Sequence, residues 1–269
     1  MTSIAVDLTL DRSRIVEMPA GRLLRAYLTE AKYECVRMLR APAFAVPFLI
    51  LPVALYVFFG VVMIGASATP SADPNVATYL FMGFSVMGVM GPGMFGFGVS
   101  IALEREQGLL TLKRALPMPP AAYLLSKMCM AVVFSAIVML TMVIAAATLS
   151  DKLHLTPGQF LGVSAILILG TLPFCAIGMF IGTLISGRVA PAIVNVIYLP
   201  MIYLSGLFFP LPKSIQVIAL FSPAFHLDQL ALLAAGVGSI LPAMMHLGAL
   251  VGVTVLFGGL AIRRLSRVG

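Results

Sequence analysis

The 269 residues are 61% hydrophobic and 10% charged, with a net charge of +7, whereas an ordinary soluble domain carries roughly 25% charged residues. No water-soluble fold hides that much apolar surface, and apolar runs of about 20 residues without strict alternation choose membrane-spanning helices over a barrel. The expected fold class is all-α integral membrane, with six transmembrane helices, an N-terminal amphipathic interfacial helix and a short external re-entrant helical hairpin.

Residues 1–42 carry charge throughout and lack a short apolar core followed by a small-residue cleavage site, so no removable signal peptide is expected. From Arg22 to Arg40, the residues Leu24, Tyr27, Leu28, Ala31, Cys35, Met38 and Leu39 recur at steps of three and four, which makes one helical stripe. Arg22, Arg25, Arg37 and Arg40 lie largely off it. The segment reads as a helix on the cytoplasmic membrane surface with its basic residues near anionic headgroups, either a plain anchor or a surface that a cytoplasmic partner grips. Pro42 separates it from the first span, Ala43 to Gly65, and residues 43–269 form the six-helix transmembrane domain.

The second span, Thr78 to Ala102, holds Gly83, Gly88, Gly91, Gly93, Gly96 and Gly98 around Pro92, so it can pack closely and bend near its middle. Met87, Met90 and Met94 form a soft stripe that suits variable apolar ligands or fills packing gaps. The loop 103–123 is short and chemically dense. Leu109, Leu112 and Leu116 share a face of a short helix, while Glu104, Arg105, Glu106, Lys113 and Arg114 supply both signs of charge. Pro117, Pro119 and Pro120 end it and start the next helix. An ordinary connector needs only polar residues and turn formers; an amphipathic helix with both signs of charge also suits docking against protein.

Further spans are expected at Leu124 to Leu149, Phe160 to Ile185, Ala190 to Phe209 and Ser239 to Ile262, with kinks at Pro173, Pro200 and Pro242. Asn195, near Tyr198 and Tyr203, needs a partner across a helix interface or in a pathway. Between the last two spans, residues 207–238 carry two short apolar runs around Ser222 and Pro223, each too short to cross a bilayer, which reads as an external hairpin.

The 17 Lys and Arg residues are distributed unevenly. Fifteen fall before the first span, around the 103–123 loop, after the fourth span or at the end of the chain; Lys152 and Lys213 alone stand on the other side. The positive-inside rule therefore puts both termini in the cytoplasm, and the basic balance is topological, not a nucleic-acid footprint.

A phosphate-binding loop of the form G-x-x-x-x-G-K-[ST] is absent, and no other segment could house a soluble catalytic domain, so the chain is not expected to be an enzyme. His154, His226 and His246 are scattered, and His226 with Asp228 at a two-residue step does not share a helix face. Cys35, Cys129 and Cys175 lack metal-ligand spacing and read as structural. No metal site is expected. No Asp, Glu, Lys or Arg stands in the middle of a span, which argues against a self-sufficient ion-driven transporter, although backbone carbonyls can also bind sodium. Energy has to come from outside the chain.

Over essentially its whole length the sequence resembles the type-two ABC transporter permeases, bacterial exporters of drugs, polysaccharides and related amphiphiles. The resemblance rests on the helix before the first span, on Glu104-Arg105-Glu106-Gln107-Gly108-Leu109-Leu110, and on Ser205-Gly206-Leu207-Phe208-Phe209-Pro210; within the family the drug-exporter branch looks most similar. It implies a permease subunit that moves a hydrophobic or amphiphilic substrate out of the cytoplasm across the cell (inner or plasma) membrane. Two copies, or one copy and a close paralogue, would assemble with two ABC ATPase subunits, which hold the ATP and Mg that this chain does not. Glu104, Arg105, Glu106, Gly108, Leu109, Leu112, Lys113, Arg114 and Leu116 would form the coupling helix, and Arg22, Arg25, Arg37 and Arg40 would belong to the connecting helix. Met87, Met90, Met94, Asn195 and Tyr198 are candidates for the translocation path, and Phe208, Phe209, Pro210 and Pro223 for an outer gate. A self-sufficient secondary transporter or channel is the alternative.

Overall fold

The computed structural model describes residues 20–64, 75–109, 120–206 and 213–268, and every regular element among them is helical. In chain order these are α1 (Ala20–Leu39), α2 (Pro42–Leu55) running into a π-helical stretch Tyr56–Met63, α3 (Val76–Glu106), α4 (Pro120–Leu149), α5 (Pro157–Leu169), α6 (Thr171–Leu184), α7 (Ala190–Leu204), α8 (Lys213–Ala219), α9 (Pro223–Ala234) and α10 (Ala243–Val268). Five stretches are long and apolar enough to cross a bilayer: Pro42–Met63, Val76–Glu106, Tyr123–Leu149, Pro157–Leu184 and Ala243–Leu265. The chain is a multi-pass membrane protein. Helix α7 has 15 residues, about 22 Å at 1.5 Å per residue, which falls short of a ~30 Å hydrocarbon layer; the rest of the fifth expected span, residues 207–209, lies outside the described residues.

Helix α3 is the axle of the bundle, buried along most of its length. The approach of α6 explains the small residues on both helices: a Cβ at Gly178 would stand 2.7 Å from the Met94 carbonyl oxygen, and one at Gly182 would stand 2.6 Å from that of Gly98. Backbone cannot yield as a side chain can, so only glycine lets the two helices touch here. Pro92 has no N–H to give the Gly88 carbonyl. On either side of that gap, Tyr198 of α7 donates to the Met87 carbonyl at 2.8 Å and Thr171 of α6 to the Val89 carbonyl at 2.9 Å. Neighbouring helices thus brace the expected bend.

Pro157, Pro191 and Pro223 open α5, α7 and α9 from the first turn, where a missing N–H is harmless. Thr156 adds a capping box with Gln159, and the Gln159 amide reaches across to the Ala235 carbonyl at 2.8 Å, which ties the start of α5 to the end of α9. The expected break at Ser222 and Pro223 separates α8 from α9. Helix α9 is no loose cover: Pro223 through Gln229 are buried, packed against α3, α5 and α10.

Helix α1 corrects the stripe read from its sequence. Cys35 and Ala31 are half-buried and Met38 is buried, on the face that packs on α4, whereas Leu24 and Leu28 are more than 60% exposed. The charged Glu34 is on the packed face, 5% exposed. A stripe counted from apolar residues alone misses this face, because its centre is a carboxylate that pairs with Arg37 of the same helix and Lys127 of α4.

Candidate functional site: a groove closed by a charge network

Helices α2, α3 and α7 enclose an open cavity of about 1120 Å³, above the roughly 300–1,000 Å³ of common small-molecule pockets. Its wall is aromatic. Phe48 of α2 lies 5.0 Å from Phe95 of α3, which lies 5.4 Å from Tyr198 of α7, and Phe44, Phe59 and Phe84 extend the lining. Pro47 and Pro52 also line it, at the points where α2 loses helical hydrogen bonds, and the helix continues beyond them in π form.

Of the path residues read from sequence, Met87, Asn195 and Tyr198 line this cavity, and Met90 and Met94 do not: both are fully buried in the apolar core. The stripe therefore splits between wall and packing. Asn195 makes no hydrogen bond among the described residues, because α7 packs on α3 through Val194, Tyr198 and Ile202 and carries Asn195 off that face into the cavity.

One end of the cavity is closed by four charges that the sequence never places together. Lys127 of α4, wholly buried, spends its three protons on Glu34 Oε1 at 2.7 Å, Ser100 Oγ at 2.9 Å and Glu104 Oε1 at 3.0 Å. Tyr123 donates to Glu104 Oε2 at 2.7 Å. Arg37 completes the set through one nitrogen, Nη2, which reaches Glu34 Oε1 at 2.7 Å and Glu104 Oε1 at 2.8 Å. Two carboxylates and two cations balance, which is the condition under which buried charge is tolerable. A carboxylate in the last turn of α3 opposes the helix dipole, so Glu104 is there for these partners and not for its own helix.

Two expectations change as a result. Glu104 is 3% exposed with both oxygens occupied, so it joins α1, α3 and α4 from inside and does not present itself to a docking partner. Arg37 leaves the headgroup-facing set and pairs inward, since Glu34 three residues earlier shares its helix face. Arg25 and Arg40 stay exposed, and the side chain of Arg22 lies outside the described residues.

Arg105 next door turns the other way. It donates to the Thr183 carbonyl and, at 2.6 Å, to the Ile185 carbonyl, and Arg264 of α10 also reaches Thr183 O at 3.3 Å. Two guanidiniums thus cap the C-terminus of α6, where unpaired carbonyls and the negative dipole end attract cations. Glu106, the last residue of α3, is exposed, as are Gly108 and Leu109 beyond it, with Gly108 at φ +71 providing the left-handed turn that ends the helix. Leu112, Lys113, Arg114 and Leu116 lie outside the described residues.

At the opposite end, around α9, the polar groups are of another kind. His226 and His246, scattered in sequence, meet with Nδ1 to Nδ1 at 2.8 Å, and His226 Nε2 faces the Leu220 carbonyl at 2.9 Å. A carbonyl only accepts, so in neutral rings His226 Nε2 carries the proton, His226 Nδ1 accepts from His246 Nδ1–H, and His246 Nε2 is left buried without a partner. Asp228 is buried on the same helix. Pro223 is buried at the start of α9, and Phe208, Phe209 and Pro210 lie outside the described residues. Among the described residues no three His, Cys, Asp or Glu side chains converge as metal ligands.

The sequence reading missed Glu34, Ser100, Tyr123 and Lys127. The available signals were the three-residue spacing of Glu34 and Arg37 and a lysine four residues inside an apolar span, where a bare ammonium is costly. The pattern of the ABC-2 type transporter family matches residues 25–232, from α1 through the groove and the network into α9. The chain is also 29% identical over 196 residues to the "Putative transport permease YvfS" of Bacillus subtilis (strain 168), covering 72% of this chain and 78% of that protein. The chain belongs to the ABC-2 type transporter family and is a transport permease subunit.

Proposed function

We propose that this permease subunit is the membrane half of an ATP-driven exporter that moves a hydrophobic or amphiphilic substrate out of the cytoplasm. The observation that carries this reading is the aromatic cavity between α2, α3 and α7, whose one end is closed by a network tying α1 to the ends of α3 and α4. Movement of α1 would pass directly to the helices that wall the cavity. Family membership implies a partnering ABC ATPase; the reading takes two ATPase copies, holding ATP and Mg, and a second permease copy across the groove. The charge distribution supports an orientation in the cell membrane with the α1 end and both termini in the cytoplasm. Residues 1–42 supply the connecting helix, the 103–123 loop the coupling contact, and the hairpin 207–238 the outer gate.

Exposed Glu106 and Leu109, with Lys113 and Arg114 of the same loop, are the docking residues in this reading, and Glu104 holds the frame behind them. The test is reconstitution with a partner ABC ATPase. Inside-out vesicles should accumulate a hydrophobic fluorophore only with ATP, and Glu106→Lys with Leu109→Asp should cut co-purification of the ATPase while the permease still inserts. Accumulation driven by a proton or sodium gradient without the ATPase would replace this reading with a secondary transporter.

A further inference from the structure

The C-terminal end of α6 gathers more positive charge than its surroundings neutralise. Arg105 spends Nη1 on the Thr183 carbonyl and Nη2 on the Ile185 carbonyl, and Arg264 reaches the same Thr183 oxygen through Nε at 3.3 Å. Two guanidiniums thus converge on one neutral acceptor. The end of a helix sets only about half a negative charge against their two positive ones. Glu106, the carboxylate next to Arg105 in the chain, forms an ion pair with neither among the described residues. It lies instead against Gly187, where a Cβ would stand 2.8 Å from Glu106 Oε2. Arg188, exposed in the turn between α6 and α7, adds to the excess.

The two converging arginines differ in what they have left. Both terminal nitrogens of Arg105 are taken. Arg264 is anchored through Nε alone, so its Nη1 and Nη2 make no hydrogen bond among the described residues, and the residue is exposed. Those two nitrogens are the parallel donors at the tip of the guanidinium, an intact edge that matches two oxygens of one phosphate.

The place of this edge in the bundle says what reaches it. The span Ala243–Leu265 has 23 residues, about 34 Å at 1.5 Å per residue, so Arg264 stands in its last turn, where a ~30 Å hydrocarbon layer gives way to headgroups. One and two turns back along the same ridge are Leu260 and Leu256, 39% and 58% exposed. An apolar track on the outside of the bundle therefore runs up to an unspent cationic fork. An acidic protein surface would use the fork and leave the track bare, whereas a phospholipid uses both.

We propose that Arg264, at the end of α6, is a binding site for the phosphate of an acidic phospholipid, with one acyl chain laid along Leu260 and Leu256. The anion supplies the charge that the helix end lacks, and its binding ties α10 to α6 and, through Arg105, to the end of α3. A zwitterionic lipid brings its own cation to the same cluster, so a head with net negative charge is favoured. The site is separate from the groove and does not depend on what the groove carries.

The test uses the full chain in a mild detergent, titrated with phosphatidylglycerol or with phosphatidylcholine of the same acyl chains, the tightest-bound lipid being followed by native mass spectrometry. Phosphatidylglycerol should bind about tenfold more tightly, the size of one charge-assisted contact. Arg264→Gln should bring the two lipids to within about twofold of one another. Arg264→Lys keeps the charge but not the fork and should lose most of the preference. Lys152→Gln, which removes one positive charge at the other end of the bundle, should leave the preference intact. Leu256→Ala with Leu260→Ala should weaken both lipids alike, and glycerol phosphate, a head without a tail, should displace neither.

Equal affinities in the unmodified chain, a preference that survives Arg264→Gln, or an equal loss in Lys152→Gln overturns the proposal. A preference that survives Arg264→Lys overturns the role of the fork, and displacement by glycerol phosphate overturns the choice of a lipid over a free phosphate. Loss of ATPase co-purification in Arg264→Gln, from a parent chain that binds the two lipids alike, assigns the face to that partner instead.

Discussion

The two ends of the bundle bury polar groups by opposite strategies. Around α1, four formal charges from three helices are packed into one balanced, hydrogen-bonded network. Around α9, the buried groups are uncharged imidazoles, one of which keeps an unpartnered nitrogen, and a carboxyl. A balanced charge network resists removal of any one member, because the charge left behind loses its compensation. Neutral groups tolerate change at a smaller penalty. The α1 end is thus built to keep its helices in register, and the α9 end to tolerate change at a smaller penalty.

The largest effect is expected from Lys127→Met. It leaves two buried carboxylates with one shared arginine, and should cost on the order of 3–5 kcal/mol, read as a collapse of the thermal transition in detergent. Adding Glu104→Gln restores a balanced Glu34–Arg37 pair and should recover much of that loss. Failure of the double variant to recover would mean that Lys127 acts by packing rather than by charge, which would erase the contrast between the ends.

At the α9 end the corresponding change is His246→Leu. It strands the Nδ1 acceptor of His226 and should cost about 1–3 kcal/mol, and replacing both histidines with leucine should cost no more than the single change. Smaller still is Arg105→Gln, which removes two carbonyl contacts at the end of α6 and leaves Arg264 on Thr183. A loss of about 1–2 kcal/mol in the same melting assay is expected.

How much of this was legible in the sequence follows from distance along the chain. The start of α4 at Pro120 and the break before Pro223 are local consequences of proline, and each stands where the sequence puts it. The kinship with type-two ABC permeases was legible too, in short motifs. The network was not: Lys127 and Glu34 are 93 residues apart, and each looks, taken alone, like a flanking charge counted toward topology. Glu104 was legible as important and misread as exposed, since a loop motif shows residue type but not which way the last turn of a helix faces. His226 and His246 were set aside because spacing along one helix was the criterion, and they meet between two.

Asp228→Asn gives the sharpest comparison. Burial pushes the Asp228 carboxyl from its ordinary value up to about 8, and the neighbouring Gln229 amide only partly offsets this. In the unfolded chain an aspartate releases its proton near pH 3.9. The native state therefore holds a proton that the unfolded state has lost over the range from about 4 to 8. The resulting stability is fully present below the unfolded value and falls as pH rises toward 8, by at most about 1.4 kcal/mol per pH unit. Asparagine is nearly isosteric with the protonated acid and does not titrate. At pH 6 the variant should bind and transport as the parent does; between pH 6 and 8.5 its melting temperature should stay level while that of the parent declines. A parent profile that is flat, or that rises with pH, would mean that Asp228 is ionised and paired, and the α9 end would then be held by charge as the α1 end is.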